Sequence, residues 1–251
     1  MKNDFDKLAG NYDELMGEGG DFHHKNTIDP AIYKLAGNVK GKKILDLGCG
    51  NGYMARALSK KGAIVTASDI SSDIIDLAER RGVNKKIKFL VHDASDLKQY
   101  PDNSFDIVIA NMMIFYVKNL DKMMSGIARI LKPGGKFIFS FSHPFRPLKP
   151  YSDWEKGKIN NKKILFIKVT GYLNERAETY PSRFNKKVNV TTYYKPLGKY
   201  IEILAKHNLL ISAMIEPPSK GLLKDWPERL RTSHRIPTFI IISATKIKNY
   251  L

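Results

Sequence analysis

The sequence predicts an α/β protein: a mostly parallel, doubly wound sheet with an antiparallel last strand and one inserted segment. Three observations carry that prediction. Strand-like and helix-like apolar patterns alternate regularly from Lys43 to Phe141, as parallel strands joined by crossover helices require. Glycines punctuate the alternation, at Gly62 before Ala63–Ser68 and at Pro133-Gly134-Gly135 before Lys136–Phe141. The regularity then breaks, because Pro144, Pro147 and Pro150 open a charged, aromatic stretch that lasts to about Thr192.

The elements follow in order. The N-terminal region reads as helical in two pieces, Asp4–Leu15 and Asp29–Ala36. Lys43–Leu47 is the first strand, Tyr53–Lys61 a helix, and Ala63–Ser68 the second strand. Ser71 or Ser72 caps a helix that runs to Arg81 and stops at Gly82. Ile87–His92 and Phe105–Ala110 are the third and fourth strands, and a helix over Leu120–Leu131 leads to the fifth, Lys136–Phe141. Ile164–Val169 and Val188–Tyr193 are strand candidates inside the irregular stretch, in an antiparallel arrangement. A helix over Leu197–His207 and strands over Leu209–Ile215 and Thr238–Ala244 then close the sheet. The whole is expected as one domain: an N-terminal helical lid (1–41), a ligand-binding half (42–145), an insertion covering the substrate (146–192), and a C-terminal part completing the sheet (193–251).

Composition narrows the function. A chain of 251 residues, 43% of them hydrophobic, buries a full core. Polar residues interrupt even long apolar runs such as Phe105–Val117, so no transmembrane segment is expected. The opening MKNDFDKLAG lacks the apolar centre of an export signal, which points to a cytoplasmic protein. One cysteine, Cys49, excludes an internal disulfide framework and any multi-cysteine zinc site. The formal charge of +17 suits either a nucleic-acid or acidic-membrane partner or a lysine-rich solvated surface. Scattered pairs such as Lys42-Lys43 and Lys186-Lys187, with no block of five like charges, favour the second.

The chemistry concentrates in Ile44-Leu45-Asp46-Leu47-Gly48-Cys49-Gly50-Asn51-Gly52. A dinucleotide fingerprint needs glycine at the sixth position of Gly-x-Gly-x-x-Gly, and Tyr53 stands there. A triphosphate loop needs Gly-Lys-Ser/Thr, which is absent. A ligand-free turn explains little, since three alternating glycines cost chain entropy without packing gain. Asp46 lies at the carboxyl end of the first strand, where open α/β sheets bind ligands. Asp69 ends the second strand 69 − 46 = 23 positions later, about the separation at which an acidic residue meets ribose hydroxyls. Helix-start charge is the other reading of such a carboxylate, and it suits Asp73 better.

The run Asp46-Leu-Gly48-Cys-Gly50-Asn-Gly52 resembles the first motif of class I S-adenosylmethionine-dependent methyltransferases. The resemblance extends in order and spacing over about Lys42–Phe141. It includes Val91-His92-Asp93-Ala94, Phe105–Asn111 and Leu131-Lys132-Pro133-Gly134-Gly135, and is greatest to the small-molecule group related to ubiquinone and menaquinone biosynthesis enzymes. It implies a Rossmann-like seven-stranded sheet that binds S-adenosylmethionine, releases S-adenosylhomocysteine and needs no metal. Gly48, Cys49, Gly50 and Gly52 would then line the cofactor with backbone, and Asp46 would favour its cationic end. Asp69 would hold the ribose, Ile70 the adenine face, and Asp93 with the Ala94 amide the adenine edge, although Asp96 competes and either is readable as a loop charge. Tyr12, in Asn11-Tyr12-Asp13, resembles the family's N-terminal cover, and Asn111 and Met112 would line the methionine end. Helix and core packing are the other readings of Tyr12 and Met112.

Methyl transfer from a sulfonium is an in-line displacement in which positioning alone supplies about 7–11 kcal/mol, so no catalytic dyad is required. His143, directly after the fifth strand, reads as a catalytic or substrate-contacting base or as a loop histidine bonded to backbone. His24, Tyr116 and Tyr194 are further substrate candidates. Adjacent His23 and His24 point apart and make a poor metal pair. Trp154, Tyr172, Tyr180, Phe184 and Tyr194 either stack on a flat acceptor or fill the insertion's own core. Cys49 is discounted as a nucleophile. The expected partner is a small-molecule methyl acceptor, with attack at oxygen, nitrogen or activated carbon, and the expected assembly a monomer or homodimer. An RNA methyltransferase and a non-catalytic cofactor-binding protein are the alternatives.

Overall fold

The computed structural model describes residues 3–81, 87–145, 154–160, 162–167, 169, 171–218 and 237–247. Along them run α1 (Ala9–Met16), α2 (Asp29–Ala36), β1 (Lys43–Leu47), α3 (Tyr53–Lys60), β2 (Ile64–Asp69), α4 (Ser72–Arg81), β3 (Ile87–Val91), β4 (Phe105–Asn111), α5 (Leu120–Ile130) and β5 (Leu131–Ser142). Two hairpins follow, β6 (Trp154–Ile159) with β7 (Lys162–Ile167) and β8 (Arg176–Pro181) with β9 (Asn189–Tyr194). The chain returns through α6 (Leu197–Lys206), β10 (Leu209–Ile215) and β11 (Phe239–Lys246).

One seven-stranded sheet has the order β10-β11-β5-β4-β1-β2-β3. Strands β3, β2, β1, β4 and β5 pair in parallel, and β11 runs antiparallel to both neighbours. This is the Rossmann-like, mostly parallel arrangement expected from the sequence. Strand order reverses between β1 and β4, and the crevice at their carboxyl ends is where such sheets hold ligands.

The central strands β1, β4, β5 and β11 are apolar on both faces, so both faces are covered there. Ile107 and Ile109 of β4 enter a core shared with α2 and α3, while Val108 and Ala110 enter one shared with α5 and α6. Strand β5 does the same, with Ile138 on the first side and Phe137, Phe139 and Phe141 on the second. The three phenylalanines stack at centroid spacings of 4.7 and 5.8 Å, and Tyr200 of α6 stacks on Phe141 at 4.5 Å.

Several expectations need correcting. The first helical piece is a single 3₁₀ turn (Asp6–Leu8) followed by α1. Strand β5 begins at Leu131, so Pro133-Gly134-Gly135 lies inside the strand, where a bulge against β4 absorbs it. The two strand candidates of the insertion do not pair with each other. Each folds back on an adjacent strand, β6 or β8, that sequence pattern did not reveal, because short polar hairpins lack the apolar alternation that marks a buried strand. Gly82, Pro147, Pro150 and the side chain of Trp154 lie outside the described residues. Among the described residues no helix is long and apolar enough to cross a membrane.

Candidate functional site

The site starts from the turn after β1. Gly48 and Gly50 have φ of 72° and 54°, left-handed values that residues with a Cβ adopt at a cost. The Gly48 and Cys49 amides both donate to the Ser68 carbonyl, at 2.7 and 2.9 Å, which clamps the loop against β2. A Cβ at Gly48 would lie 2.7 Å from the Met113 side chain, and one at Gly50 would lie 2.5 Å from the Tyr12 hydroxyl. The loop therefore presents bare backbone, with Tyr12 and Met113 lying over it.

Three acidic residues mark the carboxyl ends of the first three strands: Asp46 within β1, Asp69 closing β2 and Asp93 two residues past β3. Asp46 is 1% exposed, and its Oδ2 has no hydrogen-bond partner. Burial, followed by the nearby Asp69 and Asp29, pushes its carboxyl up to about 7. Asp69 accepts from the Gly50 amide at 2.9 Å and the Ser71 amide at 3.1 Å. Burial raises its carboxyl despite those bonds. Asp93 is exposed and accepts from the Ser95 amide at 2.8 Å, so it forms a local turn, with Ala94 buried behind it. Asp96 stands in the same relation to the Lys98 amide at 3.5 Å. Ile70, 41% exposed, presents an uncovered apolar side chain beside Asp69. Cys49 is buried, and burial with Asp46 and Asp69 pushes its thiol well up, which makes it inert as a nucleophile.

The N-terminal segment is tied to this loop. Arg81 of α4 holds Asp13 of α1 through two hydrogen bonds of 2.6 and 2.9 Å. Asn51, within the glycine loop, donates to Asp13 Oδ1 at 2.8 Å and to the Gly17 carbonyl at 2.9 Å. Ser71 Oγ donates to Asp6 at 2.7 Å and accepts from the Ile74 amide at 3.2 Å, so it is the cap of α4. Beneath Tyr12 a polar cluster joins three elements: the Tyr53 hydroxyl donates to Asp29 at 3.2 Å and accepts from Asn111 Nδ2 at 3.0 Å. Asn111 also donates to Asp29 at 3.0 Å, and Ser140 Oγ donates to Asn111 at 2.6 Å. Met112 follows at φ 54°, and its amide is held by Ser140.

The hairpin β8–β9 packs on the same segment. Phe184 meets the Tyr12 ring edge-on at 5.0 Å, and Arg183 Nη2 donates to Asp21 at 2.9 Å. Tyr116 packs edge-on to Phe5 at 5.2 Å, and burial pushes its phenol up. Tyr194 stands apart from the glycine loop. Its hydroxyl lies 3.2 Å from the Pro144 and Tyr172 carbonyls, and Arg176 lies over its ring at 4.1 Å. His143 is 2% exposed. Its Nδ1 accepts from the Phe145 amide at 3.2 Å and its Nε2 meets Glu216 at 2.7 Å. Both ring nitrogens of His143 are thus engaged, one by a backbone amide and the other by the Glu216 carboxylate. Tyr172 packs tilted against Phe145 at 5.1 Å, and its hydroxyl accepts from the Leu197 amide at 3.0 Å, so it joins the insertion to the start of α6.

Asp21, Asp29, Tyr53 and Arg183 escaped the sequence reading. The Asp29-Pro30 helix start and the two histidines were visible signals, but their partners lie too far away in the chain to pair by pattern.

The donor set suits a zwitterionic nucleoside. An orphaned, buried carboxylate oxygen at Asp46 accommodates a cation, and the glycine backbone lets Met113 and Tyr12 pack directly onto the loop beside it. Among the described residues no group of three or more His, Cys, Asp or Glu is placed to hold a metal. Comparison with known proteins agrees in kind. A methyltransferase domain family matches residues 45–139. A ubiquinone biosynthesis O-methyltransferase from Hydrogenovibrio crunogenus is 31% identical over 140 residues, 55% of this chain and 58% of that protein. The chain thus spans little more than half the length of that relative. An uncharacterized protein of Haemophilus influenzae is 29% identical over 87% of both chains. Among solved structures, a provisionally assigned S-adenosylmethionine-dependent methyltransferase from Listeria monocytogenes is 27% identical with a TM-score of 0.72, over 87% of this chain and 97% of that one.

Proposed function

From its likeness to S-adenosylmethionine-dependent methyltransferases, we propose that this chain belongs to their class I and methylates a hydroxyl group of a small molecule. The observation that carries the reading is the unpartnered Asp46 oxygen beside a glycine loop at the β1/β4 crevice. Likeness to an O-methyltransferase supports oxygen as the attacked atom. When bound, S-adenosylmethionine supplies an activated methyl carbon open to in-line displacement. Asp46 balances the cationic end, Asp69 accepts from the ribose hydroxyls, and Ile70 lies along the adenine with Asp93 and Ala94 at its edge. Asn111 and Met112 border the methionine end. Residues 1–41 act as a lid, and the insertion 146–192, continuing to Tyr194, covers the acceptor. Tyr12, Tyr116 and Phe184 exclude water there, which strengthens every charge interaction inside.

The test is a calorimetric screen of S-adenosylmethionine, S-adenosylhomocysteine and NAD, followed by transfer of labelled methyl to catechols, amines and RNA. Binding of the first two, no binding of NAD and label on a catechol oxygen are expected. Label appearing only in RNA, or binding without transfer to any acceptor, would overturn the small-molecule reading.

A further inference from the structure

The N-terminal segment contains a second chemical unit, built on His24 rather than on the glycine loop. Asp21 Oδ1 receives both the backbone N–H of His24, at 3.0 Å, and its Nδ1, at 2.7 Å. Asp21 Oδ2 receives Arg183 Nη2 at 2.9 Å. Burial opposes ionisation of Asp21, yet the His24 hydrogen bonds and Arg183 outweigh it and hold the carboxyl far below the usual range. An ionised carboxylate only accepts, so the imidazole proton sits on Nδ1 and Nε2 keeps its lone pair. Nε2 makes no hydrogen bond among the described residues. The ring packs edge-on to Tyr53, 5.8 Å between centroids, and Tyr53 opens the helix that follows the glycine loop. The Tyr53 hydroxyl in turn accepts from Asn111 at the end of β4, so the imidazole is one ring contact away from the polar cluster that borders the crevice.

We propose that His24 is the general base that deprotonates the hydroxyl acceptor, with Asp21 and Arg183 as positioning residues. The inference rests on the methyl-transfer reading. As the acceptor oxygen attacks, its lone pair forms the new C–O bond and its proton moves to His24 Nε2. The breaking C–S bond leaves its electron pair on sulfur. The imidazolium, balanced by Asp21, then releases the proton to water. Because Arg183 comes from β8–β9, docking of the acceptor cover and orientation of the base are one event. The charged and titratable groups facing His24 are Asp21 beside it in sequence, Asp29 of α2, Tyr53 of α3 and Arg183 of the hairpin.

The experiment uses the full chain saturated with S-adenosylhomocysteine and labelled with ¹⁵N-histidine. At pH 8 His24 should show the Nδ1–H tautomer, and Asp21→Ala should convert it to a mixture. A wild-type Nε2–H tautomer would overturn the dyad. With catechol as the probe acceptor, His24→Gln should lower kcat by about 100-fold or more, with S-adenosylhomocysteine affinity within about twofold. Asp21→Asn should lower kcat less and move the acidic limb of the kcat profile to lower pH, because the imidazolium loses its counter-charge. An unchanged limb or an active His24→Gln enzyme would overturn the assignment. If wild-type chain leaves catechol unmethylated, that counts against the acceptor class, and the tautomer measurement still decides the dyad.

Discussion

Asp69 accepts from two backbone amides, Gly50 of the glycine loop and Ser71 at the cap of α4. It shapes the loop and in our reading also meets the ribose, so its removal should act on binding first. Asp69→Ala is expected to weaken S-adenosylmethionine binding by about 1–3 kcal/mol, read by calorimetry, and unchanged affinity would remove the ribose assignment. Asp46 makes a different prediction. A folded-state pKa raised from 3.8 to about 7 means the native protein holds a proton that the unfolded chain has already released. Asp29, pushed up to about 6 by burial, has the same sign. The stability these groups contribute is complete below about pH 4 and is lost as pH rises through about 7. Melting temperature without cofactor should therefore fall between pH 5 and 7.5. The rise caused by S-adenosylmethionine should grow over the same window, as Asp46 becomes a full counter-charge. A cofactor-induced rise that is flat with pH would separate Asp46 from the cation. Asp46, Asp69 and the glycines were legible in the sequence because strand ends and turns are local features. Asp21 and Arg183 were not, because the bond joining them spans 162 positions and leaves no periodic trace.

At the scale of elements, helix and strand existence was legible throughout the central sheet. Apolar periodicity there is enforced by burial on both faces, as in β4 and β5. The failures came where burial is one-sided or slight, in the hairpins and in the 3₁₀ turn before α1. Within the N-terminal segment, α1 is held to α4 by the Arg81–Asp13 fork. Arg81→Ala should destabilise the docking of α1 by about 1–2 kcal/mol, read as roughly 5- to 30-fold faster amide exchange over Ala9–Met16. Exchange in β4 and β5 should stay unchanged, and equal acceleration there would mean that α1 is integral to the core.

For the whole molecule, a charge of +17 sets the behaviour toward polyanions. Scattered lysines should give weak RNA binding that does not saturate at 50 mM salt, measured by a salt titration. A saturable complex whose log affinity falls by about 0.7 per released counterion against log salt would argue for an RNA acceptor instead.

Two of the long-range bonds of the N-terminal segment have a consequence for biosynthesis. Asp13 must wait for Arg81, 68 positions downstream, and Asp21 for Arg183, 162 positions downstream. At about 5–20 residues per second, the second wait alone lasts roughly 8–32 s on the ribosome. During that interval Asp21 has no guanidinium to pair with. A nascent chain should keep its N-terminal segment open to chaperones and proteases until the hairpin has emerged.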